Sequence, residues 1–321
     1  MRIRVLGSAA GGGFPQWNCG CQNCQGVRAG RLKAVARTQE SIAVSADDAK
    51  VGNPAGAGSD GPSWFLVNAS PEIRQQIESF PGLWPRRPRH SPIAGIVLTN
   101  GDMDHCLGLL SLRESYPLTV YATESVRRGF SEGNVLYRTL ERFPGQITWI
   151  ALRAGVEQPL LADGQPSGLT ITAVPAPGKR PLHLEGPGTP PPVPEDNIGV
   201  VIRRAGSTRG GLAYFAAAAG RSPAVDDAVA GADCVFFDGT FWSSDELIAA
   251  GLGTRRAEDM AHWPVGGDGG SLSWLSRAPA RRKILIHVNN TNPLLRDDGQ
   301  ERAAASAAGV EVATDGMELT L

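Results

Sequence analysis

The most specific local signal in the chain is Cys19-Gly-Cys21-Gln-Asn-Cys24. Three thiolates on one tight loop, with Gly20 relaxing the backbone, can converge on a single soft or borderline cation such as Zn²⁺, the alternative being a redox or merely buried cluster. The chain has 5 cysteines, an odd number whose crowding is unlike a disulfide framework. A closed structural site needs a fourth ligand, and none lies nearby in sequence. That ligand must come from a distant strand end, so the metal would staple the N-terminal loop to another part of the fold.

A second cluster follows the apolar run Ile96-Val-Leu, where Thr99-Asn100-Gly-Asp102-Met-Asp104-His105 precedes an apolar helical stretch. Asn100, Asp102, Asp104 and His105 at the carboxyl end of one strand can aim several side chains into a single crevice. The same spacing also fits a polar turn whose Asp104 caps the next helix. Two later apolar runs end in a similar way, one in Asp238 and one in His287-Val-Asn-Asn290. Each alone also reads as an ordinary turn or a satisfied core histidine, but their joint occurrence points to strand ends that converge. His262, in Met260-Ala-His262-Trp263-Pro264, is a loop histidine able to move a proton, or else a surface residue packed on Trp263. His90 and His183 lie in Pro/Arg-rich loops and show no partner pattern.

Positioning these groups requires many strands. Apolar segments of strand length run over 3–6, 41–45, 64–68, 93–98, 118–122, 147–152, 169–174, 198–202, 212–216, 234–237, 284–288 and 310–321. That number is too many for one open parallel sheet. Ser70-Pro71 reads as an N-cap and first helical residue, with Ile73, Ile77 and Phe80 on one apolar face. Further helices are expected over 107–113, 135–143, 245–250, 272–277 and 301–308. The order of elements predicts an α/β sandwich of two sheets covered by helices. An elongated hairpin loop is expected at 47–63 and a Pro-rich rim loop, a possible lid, at 175–196. The basic run Pro85-Arg-Arg-Pro-Arg-His90 reads as a solvated loop.

The bulk numbers exclude some partners. The 321 residues can bury a sizeable core, and 31 basic against 32 acidic residues leave a net charge of -1, which offers no footprint for nucleic acid or an anionic membrane. The N-terminus alternates as a strand rather than as a signal peptide, and no apolar run approaches the ~18 residues of a membrane span. A cytoplasmic protein is expected.

Together these strings resemble the metallo-β-lactamase superfamily and, more closely, the coenzyme pyrroloquinoline quinone (PQQ) synthesis protein B family. The resemblance covers nearly the whole chain. It runs through the Leu6-Gly-Ser-Ala-Ala-Gly-Gly-Gly-Phe-Pro-Gln-Trp-Asn stretch before the cysteines, Thr38-Gln-Glu-Ser-Ile-Ala, Asn68-Ala-Ser-Pro-Glu-Ile-Arg, the 99–105 motif, Phe237-Asp-Gly-Thr-Phe-Trp242 and His287-Val-Asn-Asn-Thr-Asn-Pro293. It implies one αββα domain over 1–321, two mixed sheets flanked by helices, with the active site at one edge of the sheets.

Set against the superfamily's His-x-His-x-Asp-His, Asn100 and Asp102 replace the first two histidines, while Asp104 and His105 remain. Pro177-Gly178-Lys179 stands where Pro-Gly-His is usual, and the bridging Asp is missing from 216–220. The dinuclear zinc centre is thereby dismantled. Asp104, His105 and His287 survive, two imidazoles and one carboxylate, a composition that suits non-haem Fe(II) with open positions for O₂ and substrate. Asp102 and Asp238 could tune that centre or add a ligand.

The resemblance then implies hydroxylation of the tyrosine ring in a Glu-Tyr diamino acid derived from a ribosomal peptide. Iron and O₂ would do this with His262 moving protons, alongside other PQQ pathway proteins. Lys179, Arg180 and Asn100 are candidate substrate contacts, the two cations suiting a polycarboxylate. The cysteine site resembles the structural zinc of a phosphonate-pathway phosphodiesterase of the same fold. There a His three positions after the active-site His completes the shell, and here Asn290 takes that position. Two alternatives are a carrier of PQQ or its precursor toward the periplasm, and a zinc-dependent hydrolase needing two zinc ions near 102–105.

Overall fold

The structure is a computed structural model that describes residues 1–46, 61–186 and 191–321. Among these, strands β1 (Arg2–Gly7), β2 (Ser41–Ser45), β3 (Trp64–Val67), β4 (Ile93–Val97), β5 (Leu118–Ala122) and β6 (Ile147–Ala151) build the first sheet with a C-terminal strand. The second contains β7 (Glu157–Ala162), β8 (Gln165–Pro175), β9 (Ile198–Arg204), β10 (Leu212–Phe215), β11 (Cys234–Asp238), β12 (Arg282–Ile286) and β13 (Glu311–Val312), and β14 (Glu318–Thr320) returns to pair with β1. The described residues therefore form two seven-stranded sheets, ordered β14-β1-β2-β3-β4-β5-β6 and β13-β12-β11-β10-β9-β8-β7.

Strands apolar at every position lie between layers, because successive side chains point to opposite faces. Phe65, Val67, Phe236, Ile284 and Ile286 fill the space between the sheets. Their neighbours Trp64 and Leu66 pack outward with Ile73 and Phe80, while Val235, Phe237 and Leu285 pack outward with Leu275 and Ala305. Each such buried side chain stabilises the fold by roughly 1.5–3 kcal/mol. Helices α1 (Gln22–Arg28), α2 (Ile73–Glu78), α3 (Met103–Cys106), α4 (Glu124–Ser131), α5 (Pro223–Ala230), α6 (Glu246–Ala249), α7 (Ser271–Arg277) and α8 (Gln300–Ala307) lie outside the strands. The αββα sandwich expected from the sequence is the fold observed. No described helix is long and apolar enough to cross a membrane.

Several local expectations differ. The stretch 310–321 is two short strands in different sheets, because Asp315 between them binds Ser8 Oγ and Thr38 N, and Gly316 turns the chain at φ +91°. Strand β7 escapes the sequence pattern because Pro159 interrupts it, which an edge strand tolerates. Helix α2 starts at Ile73 with Glu72 at the N-cap, two residues later than the Ser70-Pro71 signal. The stretches 107–112 and 135–140 are 3₁₀ turns. Helices α1, α3, α4 and α5 lie outside the expected helical stretches. The hairpin tip predicted at 47–63 falls mostly on 47–60, outside the described residues, as do 187–190 of the rim loop.

The two sheets meet at the site through their parallel halves. Strands β3 to β6 are parallel, as are β10 to β13. The carboxyl ends of β3, β4, β11 and β12 carry Asn68, the 99–105 turn, Asp238 and His287. This is where open α/β sheets place their ligands.

Candidate metal centre and cavity

Asp104, His105 and His287 come together, with one ligand atom of each lying within 4.8 Å of the others. The Nε2 atoms of His105 and His287 are 3.2 Å apart, and Asp104 Oδ2 is 3.2 Å from His287 Nε2 and 3.6 Å from His105 Nε2. Asp104 sits in the first turn of α3, whose N-cap position is Asp102, so its carboxylate does not cap that helix. Gly11 lies against it, and a Cβ there would be 3.2 Å from Asp104 Oδ2.

The surrounding hydrogen bonds orient the His287 imidazole. Thr240 Oγ1 donates to Asp238 Oδ1 at 2.5 Å, so it accepts from His287 Nδ1–H at 2.8 Å and leaves Nε2 bare. At His105 the Nδ1 atom meets two groups: Thr99 Oγ1 at 3.2 Å, which donates to Asn68 Oδ1 at 3.0 Å and can accept from Nδ1–H, and Asn68 Nδ2 at 3.0 Å, an amide that only donates. The Nδ1–H form, which the Thr99 hydroxyl accepts, is the one that leaves Nε2 free for a cation. Two of these residues hold left-handed backbone, Asn68 at φ +65° and His287 at φ +61°. Such strain is concentrated where surroundings over-determine a functional geometry.

Three electron-pair donors directed at one point fit a divalent cation. Without one, a proton serves: burial disfavours charge on His287, but Asp104, Asp238 and Glu40 outweigh it and lift the imidazole to about 9. Burial would raise Asp104, yet His105 and His287 hold it well below the ordinary carboxylate range.

His262 stands beside this set, its ring stacked on His287 with centroids 5.5 Å apart. Its Nδ1 is 2.6 Å from Asp238 Oδ2, and the carboxylate can only accept, so Nδ1 donates and Nε2 remains available. Asp238 is fully buried, and its remaining bonds come from the Ala218 and Thr240 amides. Burial would raise it, but the neighbouring imidazoles and the Ala218 amide outweigh burial and hold it low. Asp238 therefore orients two histidines and does not line the cavity.

The cavity over these groups measures about 290 Å³. Asn100, Asp102, Lys179 and His262 line it as the sequence suggested, together with Arg255, Asn197 and Asn289, which it did not. Lys179 makes no hydrogen bond or ion pair among the described residues. Arg180 is the exception among the candidates: its guanidinium lies 3.3 Å from Asp196 Oδ2 and donates to the Pro191 carbonyl, so it braces the rim loop instead of facing the cavity. Asn100 gives its amide to Asn197 Oδ1 at 3.1 Å and receives the Asp102 N–H.

The cysteine cluster also assembles. Cys21 is the N-cap of α1, and the three sulfurs lie within 4.8 Å of one another. Asn290 Nδ2 sits over them at 3.1 Å from Cys19, 3.6 Å from Cys21 and 3.4 Å from Cys24. Burial raises Cys21, but the Cys24 amide and adjacent thiols outweigh it and draw the thiol below its ordinary value, whereas burial pushes Cys24 up to about 11. Asn23 Nδ2 clamps the carbonyls of Asn290, Thr291 and Asn292, tying α1 to the segment that follows β12.

Residues 63–288 match the beta-lactamase superfamily domain. Coenzyme PQQ synthesis protein B of Azotobacter vinelandii is 42% identical over the full length of both chains. The chain belongs to the coenzyme PQQ synthesis protein B family. Family membership is equally clear from the Azoarcus protein of the same description, 44% identical with 100% of both chains covered. Among solved structures, zinc-bound PqqB from Methylobacterium extorquens superposes with TM-score 0.86 at 39% identity over the whole of both chains. A diphosphatase of the PhnP family shares the fold, with TM-score 0.64 at 19% identity, covering 100% of this chain and 97% of its own.

Within the family motifs, sequence reasoning missed Glu40, Asn68, Thr99 and Thr240 as groups that shape the site. Their signal was weak because each reads as a strand-end or turn residue. Only the fold shows that their side chains turn toward the imidazoles.

Proposed function

We propose that this chain performs an oxygen-dependent step of PQQ biosynthesis, hydroxylating the tyrosine ring of a Glu-Tyr diamino acid released from a ribosomal precursor peptide. The reading is carried by the convergent set of Asp104 Oδ2, His105 Nε2 and His287 Nε2 beneath an open cavity. Two imidazoles and one carboxylate suit Fe(II) with positions left open, and a bound iron would supply the activation of O₂. Each hydroxylation places one oxygen atom of O₂ in a ring C–H bond. The other leaves as water, using two electrons from an external reductant and two protons.

The chain's own residues bind, orient and move protons. His262, held through Nδ1 by Asp238, presents Nε2 to take a proton from the phenol and return it. Lys179 and Arg255 meet substrate carboxylates, and Phe241 and Leu182 offer apolar wall to the ring. In this reading residues 1–321 act as one domain, since both sheets contribute to the site, and zinc at Cys19, Cys21 and Cys24 fixes the N-terminal loop beneath it. The hydrolase alternative has less to draw on, because Asn100, Lys179 and Ala217 offer no imidazole or carboxylate and a second zinc would have to rest on Asp102 or His262. Iron-loaded protein should consume O₂ only when the diamino acid and a reductant are present, and zinc-loaded protein should not. Substrate-independent uptake, or equal uptake with both metals, would contradict the reading.

A further inference from the structure

Behind His105 lies a carboxylate that the reaction as described leaves unused. Glu40 directly precedes β2 and is 1% exposed. Among the described residues only Asn68 Nδ2 donates to it, at 2.9 Å to Oε2 and 3.2 Å to Oε1. An ionised carboxylate offers about four acceptor positions, and burying one with a single donor group is costly unless opposite charge lies close. The nearest such groups are the imidazoles: Glu40 Oε2 is 3.7 Å from His105 Nε2, the atom that faces His287 and Asp104. Glu40 is nevertheless in no described set of ligand atoms that shares one sphere, whereas Asp104, His105 and His287 form such a set.

The charge count explains why a carboxylate belongs there. A divalent cation on two neutral imidazoles and Asp104 leaves one positive charge in a buried cluster. A second carboxylate, outside the sphere but in contact with a ligand, makes the cluster neutral. Asn68 gives this arrangement its shape. Its Nδ2 donates to Glu40 and lies 3.0 Å from His105 Nδ1, and its Oδ1 accepts from Thr99 N and Oγ1, so one left-handed residue packs the carboxylate against the ligand. We propose that Glu40 is the counter-charge of the active-site metal, acting on the ion across His105 without being a ligand itself.

The proposal rests on the reading of Asp104, His105 and His287 as a metal site. Its test is metal binding and folding, independent of turnover. With zinc retained at the cysteines, anaerobic titration of Co(II) into the active site should give a dissociation constant about 10–100-fold weaker for Glu40→Gln than for the parent, the range seen when partners of metal ligands are lost. Glu40→Asp, which keeps the charge and changes the shape, should stay within a few-fold of the parent. The visible Co(II) bands of Glu40→Gln should report the parent's coordination number. Its metal-free form should remain folded, with a far-ultraviolet circular dichroism spectrum like the parent's, so that the loss reports on the metal and not on the fold.

Unchanged affinity in Glu40→Gln, weaker binding by Glu40→Asp than by Glu40→Gln, or a metal-free Glu40→Gln protein that fails to fold would each overturn the proposal. So would loss of a ligand from the Co(II) spectrum, which would make Glu40 a ligand. If the parent itself binds no Co(II) at Asp104, His105 and His287, the metal-site reading fails, and the counter-charge falls with it.

Discussion

Of the three convergent ligand sets among the described residues, one of which (Asp238, His262 and His287) shares His287 with another, two are of opposite design. Cys19, Cys21 and Cys24 come from one loop and one helix start, are all sulfur, and are sealed by the Asn290 amide. Asp104, His105 and His287 come from two different sheets, are nitrogen and oxygen, and face a cavity of about 290 Å³. The first is closed and local, the pattern of a structural metal. The second is open and assembled only by folding, the pattern of a reacting one. The two are three residues apart at the end of β12, where His287 serves one set and Asn290 the other. Proximity in sequence thus joins the two sets without merging their chemistry.

The comparison breaks most visibly at the staple. Cys24→Ser should lose one zinc per chain and much of the protein's resistance to heat, since structural zinc contributes on the order of 10 kcal/mol in small sites. Metal analysis with thermal unfolding checks this, and a variant with full zinc content and parental melting would remove the distinction between the two sets. His287→Ala should do the reverse, keeping zinc at the cysteines while losing the active-site metal and all turnover. Elemental analysis of both metals in the same sample reads it. A smaller effect is expected of His262→Gln, which should slow turnover by about 10²–10⁴-fold with both metals still bound. Smallest is Lys179→Met, for which KM for the polycarboxylate substrate should rise about tenfold with kcat nearly unchanged, as for a lost charge-assisted contact. Steady-state kinetics on the metal-loaded protein separates these last two.

The same contrast governs what could be read without the fold. The cysteine set was legible as a site because its spacing is its geometry. Its cover, Asn290, was legible only through resemblance, since nothing near Cys24 in sequence points to residue 290. The strands were legible from apolar runs buried on both faces, but β7 was hidden by Pro159 and the C-terminal pair by the Asp315 anchor. At the open site the ligands stood out as polar groups ending apolar strands. Arg180 and Arg255 could not be told apart by charge, because only the folded rim loop shows that Asp196 takes the first and the cavity receives the second. Glu40 looked like an ordinary residue ahead of a strand, and its burial beside His105 is a property of the two layers together.

The central claim is that the open set supports insertion of oxygen into the substrate ring. Its most direct test is to load the protein anaerobically with Fe(II), add the Glu-Tyr diamino acid and a reductant, admit isotopically heavy O₂, and weigh the product by mass spectrometry. The account predicts a mass gain equal to heavy oxygen on the tyrosine-derived ring. Intact substrate with iron bound, or a gain of ordinary oxygen drawn from water, would contradict it.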